Sequence, residues 1–212
     1  MLESARVELE HDVRRRCAAG DFAGAATVAL RGYGPEVYGF LVAFHRREED
    51  AAEVFSLFSE RLWRGLERFG WQSSFRTWAY SIARNSSFKY RRDAQRRARH
   101  HVPLPDGSSL DAVAAEVRTQ TKSYLVTQKR TRLEALRDSL PVEDRELLVL
   151  RVDKRLSWND LAEVLRDDEA PLDAAATKRE AARLRKRFQL VKERLLEMGR
   201  REGLVGTGDK EG

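Results

Sequence analysis

Cysteine is nearly absent: Cys17 is the only one in 212 residues. A single thiol excludes an internal disulfide and any zinc site built on several thiolates. No apolar run approaches the roughly 18 residues of a membrane-spanning helix. The opening residues, MLESARVELEHDVRRR, are charged throughout, which predicts no secretory signal. Alternating apolar and polar runs, the mark of half-buried strands, are nearly missing. So are catalytic constellations. Glu8 and His11 stand at the spacing of a di-iron helix, but no second such pair accompanies them. His45 stands alone, and His100-His101 sits at a basic edge. There is no glycine loop to cradle phosphate and no Ser-centred nucleophile motif. These absences predict a reduced, cytoplasmic, all-α protein that is not an enzyme. No cofactor, no metal ion and no membrane insertion are expected.

Charge is what the chain has in abundance. Asp, Glu, Lys and Arg make up 35% of it, and the formal net charge is +6. The distribution is uneven. Eight cations and one anion lie between Arg76 and His101, and ten cations and three anions between Lys178 and Arg201. The remainder of the chain is net acidic. Two separate basic segments on an acidic background point to a polyanion, most often nucleic acid, rather than to a solvated helix face alone.

Apolar residues recur at helical spacing almost everywhere. Val37, Phe40, Leu41 and Phe44 form one stripe, and Val54, Phe55, Phe58, Leu62, Trp63 and Leu66 a second. With Gly20, Gly32 and Gly34-Pro35 as punctuation, helices are expected near 5–18, 22–31, 35–46, 49–68 and 74–98. Between His101 and Ser123, Pro103, Pro105, Gly107, Ser108 and Ser109 read as a linker with a weak helix at Leu110–Val117. Periodicity resumes at Leu133, Leu136 and Leu140. The resulting division is an N-terminal helical extension at 1–20, a helical domain at 21–100, a flexible linker at 101–130, a second helical domain at 131–200 and a disordered tail at 201–212.

In the second domain, Ser157 and Asp160 form a capping box for a short helix at about 158–165. Pro141 opens the helix before it, and Asp173 can cap a long basic helix from Ala174 to about Met198. This is a helix-turn-helix order. Its recognition helix would offer Thr177, Lys178, Arg179, Arg183, Lys186 and Arg187 to DNA, with Ala181, Leu184 and Phe188 packed inward. The connection from Arg166 to Leu172 is longer than an ordinary turn and contains Asp167, Asp168 and Glu169.

In the first domain, Trp71, Phe75, Arg76, Trp78, Tyr80, Arg84, Phe88, Lys89, Tyr90, Arg91 and Arg92 mix rings with cations. Single-stranded DNA binding needs both, rings to stack bases and cations to hold the backbone. Asn85 adds a group that can meet a base edge. Phe75, Trp78 and Ile82 read as core, Tyr80, Asn85 and the basic end of the helix as surface.

Ser73-Ser74-Phe75-Arg76-Thr77-Trp78-Ala79-Tyr80-Ser81-Ile82-Ala83-Arg84-Asn85 resembles a motif of extracytoplasmic-function (ECF) sigma factors, a subfamily of the sigma-70-type RNA polymerase sigma factors. Gly34-Pro35-Glu36-Val37-Tyr38, Asp50 to Phe55 with Arg61-Leu62-Trp63, and the Leu140-Pro141 to Leu161-Ala162 segment resemble further parts of the same pattern, in the same order. Ser56-Leu57 stands where the family often has Gln-Glu. The resemblance implies that 21–100 is sigma region 2 and 131–200 sigma region 4. It implies core RNA polymerase as a partner, held at its clamp through the 50–67 helix, with Asp50, Glu53, Phe55, Phe58, Glu60, Arg61 and Trp63 as the matching contact positions, and at its flap through region 4. It implies promoter DNA as the other partner, double-stranded at the −35 element and melted at the −10 element. The loop at Trp71, Ser73 and Ser74, together with Asn85, would hold a flipped base. An anti-sigma factor is a further partner that the resemblance suggests. A DNA-binding repressor is the strongest rival, but it gives the aromatic and basic segment at 71–92 no task.

Overall fold

The computed structural model describes residues 3–97, 112–119, 132–166 and 172–204. Every regular element among them is helical. The chain divides into two compact units, 1–126 and 127–212.

The first unit is built on α2 (Phe22–His45), a helix long enough to back all the others. Asp21 caps it, accepting from the Gly24 amide at 2.9 Å. Its inward residues Ala26, Leu30, Tyr33, Val37, Phe40, Leu41 and Phe44 are almost wholly buried. A break was expected at Gly32 and Gly34-Pro35, yet the helix runs through all three. The two glycines are close-packing positions. A Cβ at Gly32 would collide with Leu9 of α1 (Glu3–Ala18). A Cβ at Gly34 would sit 2.8 Å from Val117 Cγ1. Small residues here allow two helices to approach α2 closely, and that packing outweighs their low helix propensity.

α3 (Glu48–Gly65) carries three acids in its first turn, where they favour the helix dipole. Its residues Ala51, Val54, Phe55, Phe58 and Leu62 are fully buried, at the spacing of one helical face. A 3-10 turn, Leu66–Arg68, and a loop lead to α4 (Phe75–Arg97). The N-terminal stretch read as an extension is part of this unit: Val13 of α1 is completely buried.

The segment read as linker also contains structure that belongs to the first unit. α5 (112–119) buries Ala114 and Val117. Arg118 Nη1 donates to Ser56 Oγ of α3 at 2.8 Å, and Arg31 of α2 lies 3.7 Å from Glu116. At 112–119, therefore, the chain is seated on α2 and α3 rather than free as a tether. Of the expected tail at 201–212, Arg201 is the last residue of α9, and the part from 205 onward, like the central part of the extended turn, 167–171, lies outside the described residues.

The second unit contains α6 (Arg132–Asp138), α7 (Val142–Leu148) with a π-helical continuation to Asp153, α8 (Trp158–Val164) and α9 (Ala174–Arg201). Leu140, Leu148 and Val191 cluster, with Phe188 and Leu195 packed against them. The Ser157 and Asp160 capping box forms, with hydrogen bonds of 3.1 Å in both directions. Asp173 caps α9 through the Ala176 amide at 2.6 Å.

Candidate nucleic-acid interface

Two surfaces carry the basic residues, one in each unit. The first is the loop before α4 and the outward side of α4. Phe69, Trp71, Phe75 and Trp78 interlock at this point. Phe69 stacks on Trp78 with ring centres 4.4 Å apart, and Trp71 lies 4.7 Å from Phe69. Trp71 has a φ of 56°, a left-handed backbone that is rare for a bulky residue. Ser74 caps α4, accepting from the Thr77 amide at 3.0 Å. Ser73 is half-buried, and Gln72 and Ser74 are exposed.

From this loop, Asn85, Lys89 and Arg92 follow along α4 at helical spacing, all three exposed, and Arg91 is exposed beside them. Arg91 lies over the Phe44 ring at 5.8 Å. Other residues expected to face DNA lie inside. Tyr80 is completely buried, edge-on to Phe40 at 5.7 Å, so its ring cannot stack on a base. Burial pushes its phenol well above the ordinary tyrosine value. Arg76 is buried, and its Nε donates to Glu36 Oε1 at 2.7 Å. Burial opposes the Arg76 charge, but Glu36 outweighs it and the guanidinium pKa rises. Arg84 is buried with its guanidinium 4.6 Å over the Phe88 ring. Arg76 and Tyr80 are turned toward α2, where Glu36 and Phe40 meet them, while Arg84 lies against Phe88 of α4 itself.

The positions expected to meet polymerase divide in the same way. Phe55 and Phe58 are completely buried in the core and cannot be contact residues in this fold. Asp50 accepts from Tyr90 Oη at 2.8 Å, and Arg61 donates to Ser86 Oγ at 3.1 Å, so both join α3 to α4. Glu53 is half-buried. Glu60 pairs with Arg64 at 2.8 Å on the exposed side, and Trp63 is 39% exposed, the largest ring left open on α3.

α1 contributes residues that no local pattern marked. Glu10 Oε1 accepts from Tyr33 Oη at 2.8 Å and from the Arg76 amide at 3.2 Å. Burial and the bond to Glu10 both raise the Tyr33 phenol pKa, which keeps it a donor. Arg14 lies 5.3 Å over the Trp71 ring. The separation of 66 positions between Glu10 and Arg76 places this contact beyond any spacing argument.

The second surface is the N-terminal half of α9. Lys178, Arg179, Arg183 and Lys186 are exposed on it, and Ala181 and Leu184 are buried beneath. Arg183 also pairs with Glu180 one turn back. Thr177 is half-buried, and its hydroxyl donates to the Asp173 carbonyl at 3.0 Å. Arg187 turns back to Asp144 of α7 at 2.7 Å, a bond that holds α9 on the unit. Arg151, at 4.7 Å, and Arg185, at 5.7 Å, both lie over the Trp158 ring, and Phe188 packs edge-to-face with it at 5.6 Å. This fixes the start of α8 on α9.

Among the described residues no cluster of three or more His, Cys, Asp or Glu is placed to hold a metal ion. No described helix is long and apolar enough to cross a membrane.

Residues 29–97 match the family model of Sigma-70 region 2, a span that covers α4, α3 and most of α2 but less than half of the chain. That match supports a sigma factor of the sigma-70 family, with a role in transcription initiation and with core RNA polymerase and promoter DNA as partners. No curated protein and no solved structure gives a significant match to the chain.

Proposed function

We propose that this protein is a sigma factor of the ECF kind, which brings core RNA polymerase to its promoters, opens the −10 element with its first unit and reads the −35 element with its second. The observation that carries the reading is the layout of α4. The loop at 71–74 leads directly into α4, which carries the exposed row of Asn85, Lys89 and Arg92, all inside the segment that matches Sigma-70 region 2. A melted strand needs cations along its backbone and a polar side chain able to meet an unpaired base edge. Asn85 supplies the second between the loop and the cations. The open side of α3, with Glu60 and Trp63, is the surface for the polymerase clamp. In the second unit, Lys178, Arg179, Arg183 and Lys186 project from the first turns of α9, where a recognition helix meets the major groove. The anti-sigma partner and the flap contact belong to the same proposal.

The test is binding of the full chain to core RNA polymerase, followed by run-off transcription from a pool of genomic promoters. Discrete start sites that appear only when the protein is added are expected. Failure to bind core polymerase, with tight dimeric binding to duplex DNA, would overturn the reading in favour of a repressor. Asn85→Ala is expected to alter base preference within the −10 element while leaving polymerase binding intact. An unchanged preference across a −10 library would remove Asn85 from the site.

A further inference from the structure

The loop before α4 is short of regular structure but not of partners, and two of those partners come from α1. Glu10 reaches the Arg76 amide at 3.2 Å. That amide is the second of α4, one of the first four that an α-helix leaves without an internal acceptor. Ser74 satisfies the Thr77 amide from within the loop, and Glu10 satisfies the Arg76 amide from another helix. The same carboxylate oxygen is fixed by Tyr33 Oη at 2.8 Å, and Tyr33 is almost wholly buried in α2. The acceptor is therefore anchored to the core and does not move with the loop. One helical turn further along α1, Arg14 lies over Trp71, the loop residue with the left-handed backbone.

We infer that Glu10 is a positioning residue for base recognition: it sets the start of α4, and with Arg14 over Trp71 it holds the 71–74 loop in the conformation that receives the unpaired base. A left-handed Trp persists only where its surroundings over-determine it. Here they are the Phe69 and Phe75 rings, 4.7 and 6.3 Å from Trp71, and the Arg14 guanidinium 5.3 Å over its ring. A negative charge at the first turn of α4 also favours the helix dipole. The inference rests on the proposed role of the loop in the −10 element.

The test uses the full chain with core polymerase and a library randomised at the −10 element, scored by run-off transcription. Glu10→Ala is expected to flatten preference at the base the loop receives by roughly three- to tenfold, the scale of one lost hydrogen bond. Binding to core polymerase should stay unchanged. Glu10→Gln keeps an acceptor oxygen at the same place and is expected to recover most of the preference. Arg14→Ala, at an exposed position, is expected to give a smaller shift at the same base. If Glu10→Ala leaves the preference profile as it was, the inference fails. It also fails if polymerase binding and preference at every −10 position fall together, because that would be loss of structure. Ser74→Ala separates the two levels. If it too leaves every preference unchanged, the loop's own role is wrong. If it shifts preference while Glu10→Ala and Arg14→Ala do not, only the role of α1 is wrong.

Discussion

α4 and α9 look alike on paper. Each is the most basic stretch of its unit, though α4 sets five aromatic residues among its cations and α9 only Phe188. In the fold they use that charge differently. The first half of α4 turns Arg76 and Arg84 inward, against Glu36 and Phe88, and displays cations only from Lys89 onward. α9 displays Lys178, Arg179, Arg183 and Lys186 from its first turns and reserves Arg187 for Asp144. A count of cations therefore says how much positive charge a segment carries and not how much of it a polyanion meets. Burial of the side chain decides that, through the cost of removing a guanidinium from water without a partner.

The largest effect is expected where the comparison is sharpest. Arg76→Met removes one partner of a buried pair and leaves Glu36 without its cation, at a cost of about 3 kcal/mol. Arg183→Met on exposed α9 removes a surface pair with Glu180 and should cost less than about 0.5 kcal/mol. Urea unfolding followed by hydrogen exchange at the amides of α2 to α4 reads the first, and at those of α9 the second. Equal costs would mean that Arg76 is structurally no different from a surface arginine.

A smaller effect separates cations within α9. Lys178→Ala or Lys186→Ala should reduce the salt dependence of DNA binding by about one unit of slope if each meets one phosphate. Arg187→Ala should leave that slope nearly unchanged and instead loosen α9 from α7, because its guanidinium is engaged with Asp144. Titrations of promoter DNA at several salt concentrations distinguish the two behaviours. A slope change for Arg187→Ala as large as for Lys186→Ala would return Arg187 to the DNA-facing set.

Much of the second unit was legible because its signals are local. Ser157 with Asp160, and Asp173 with the alanines after it, satisfy helix ends within three residues, and both form. The helical periodicity of the first unit was equally legible. Three things were not, and each depends on residues far apart in sequence. Gly34-Pro35 reads as a break because glycine and proline usually interrupt helices, but Val117 is packed where a Cβ would be. The weak helix expected at 110–117 is α5, but its seat on α2 and α3 is not legible, because its apolar side is short, Ala114 and Val117, and matters only once α2 and α3 are present. Tyr80 and Arg76 read as a base-stacking ring and a phosphate contact. Phe40 and Glu36, which bury them, lie in another helix. The aromatic and basic segment stands out in the sequence by composition alone, while the assignment of its side chains to inside and outside required the fold.

At the helix caps the two units can again be set side by side. Asp21→Ala and Asp173→Ala should each lower the urea midpoint, as the loss of an N-cap does. They differ in what else the carboxylate does. Asp21 accepts from the Gly24 amide and also meets Arg16 at 2.8 Å, at the end of α1. The amide first, and then the guanidinium, hold the Asp21 carboxyl below its ordinary range. A carboxyl lowered in the folded state stabilises the fold fully above its unfolded pKa of about 3.9, and that contribution disappears as the pH falls through the lower, folded value. Asp21→Asn keeps an N-cap oxygen but has no proton to gain in this range. The urea midpoint of the native chain should therefore fall more steeply below pH 4 than that of Asp21→Asn, with a near-constant difference above pH 5. If the two curves run parallel through the acid range, the carboxylate charge contributes nothing, and the hydrogen bond to Gly24 alone accounts for the cap.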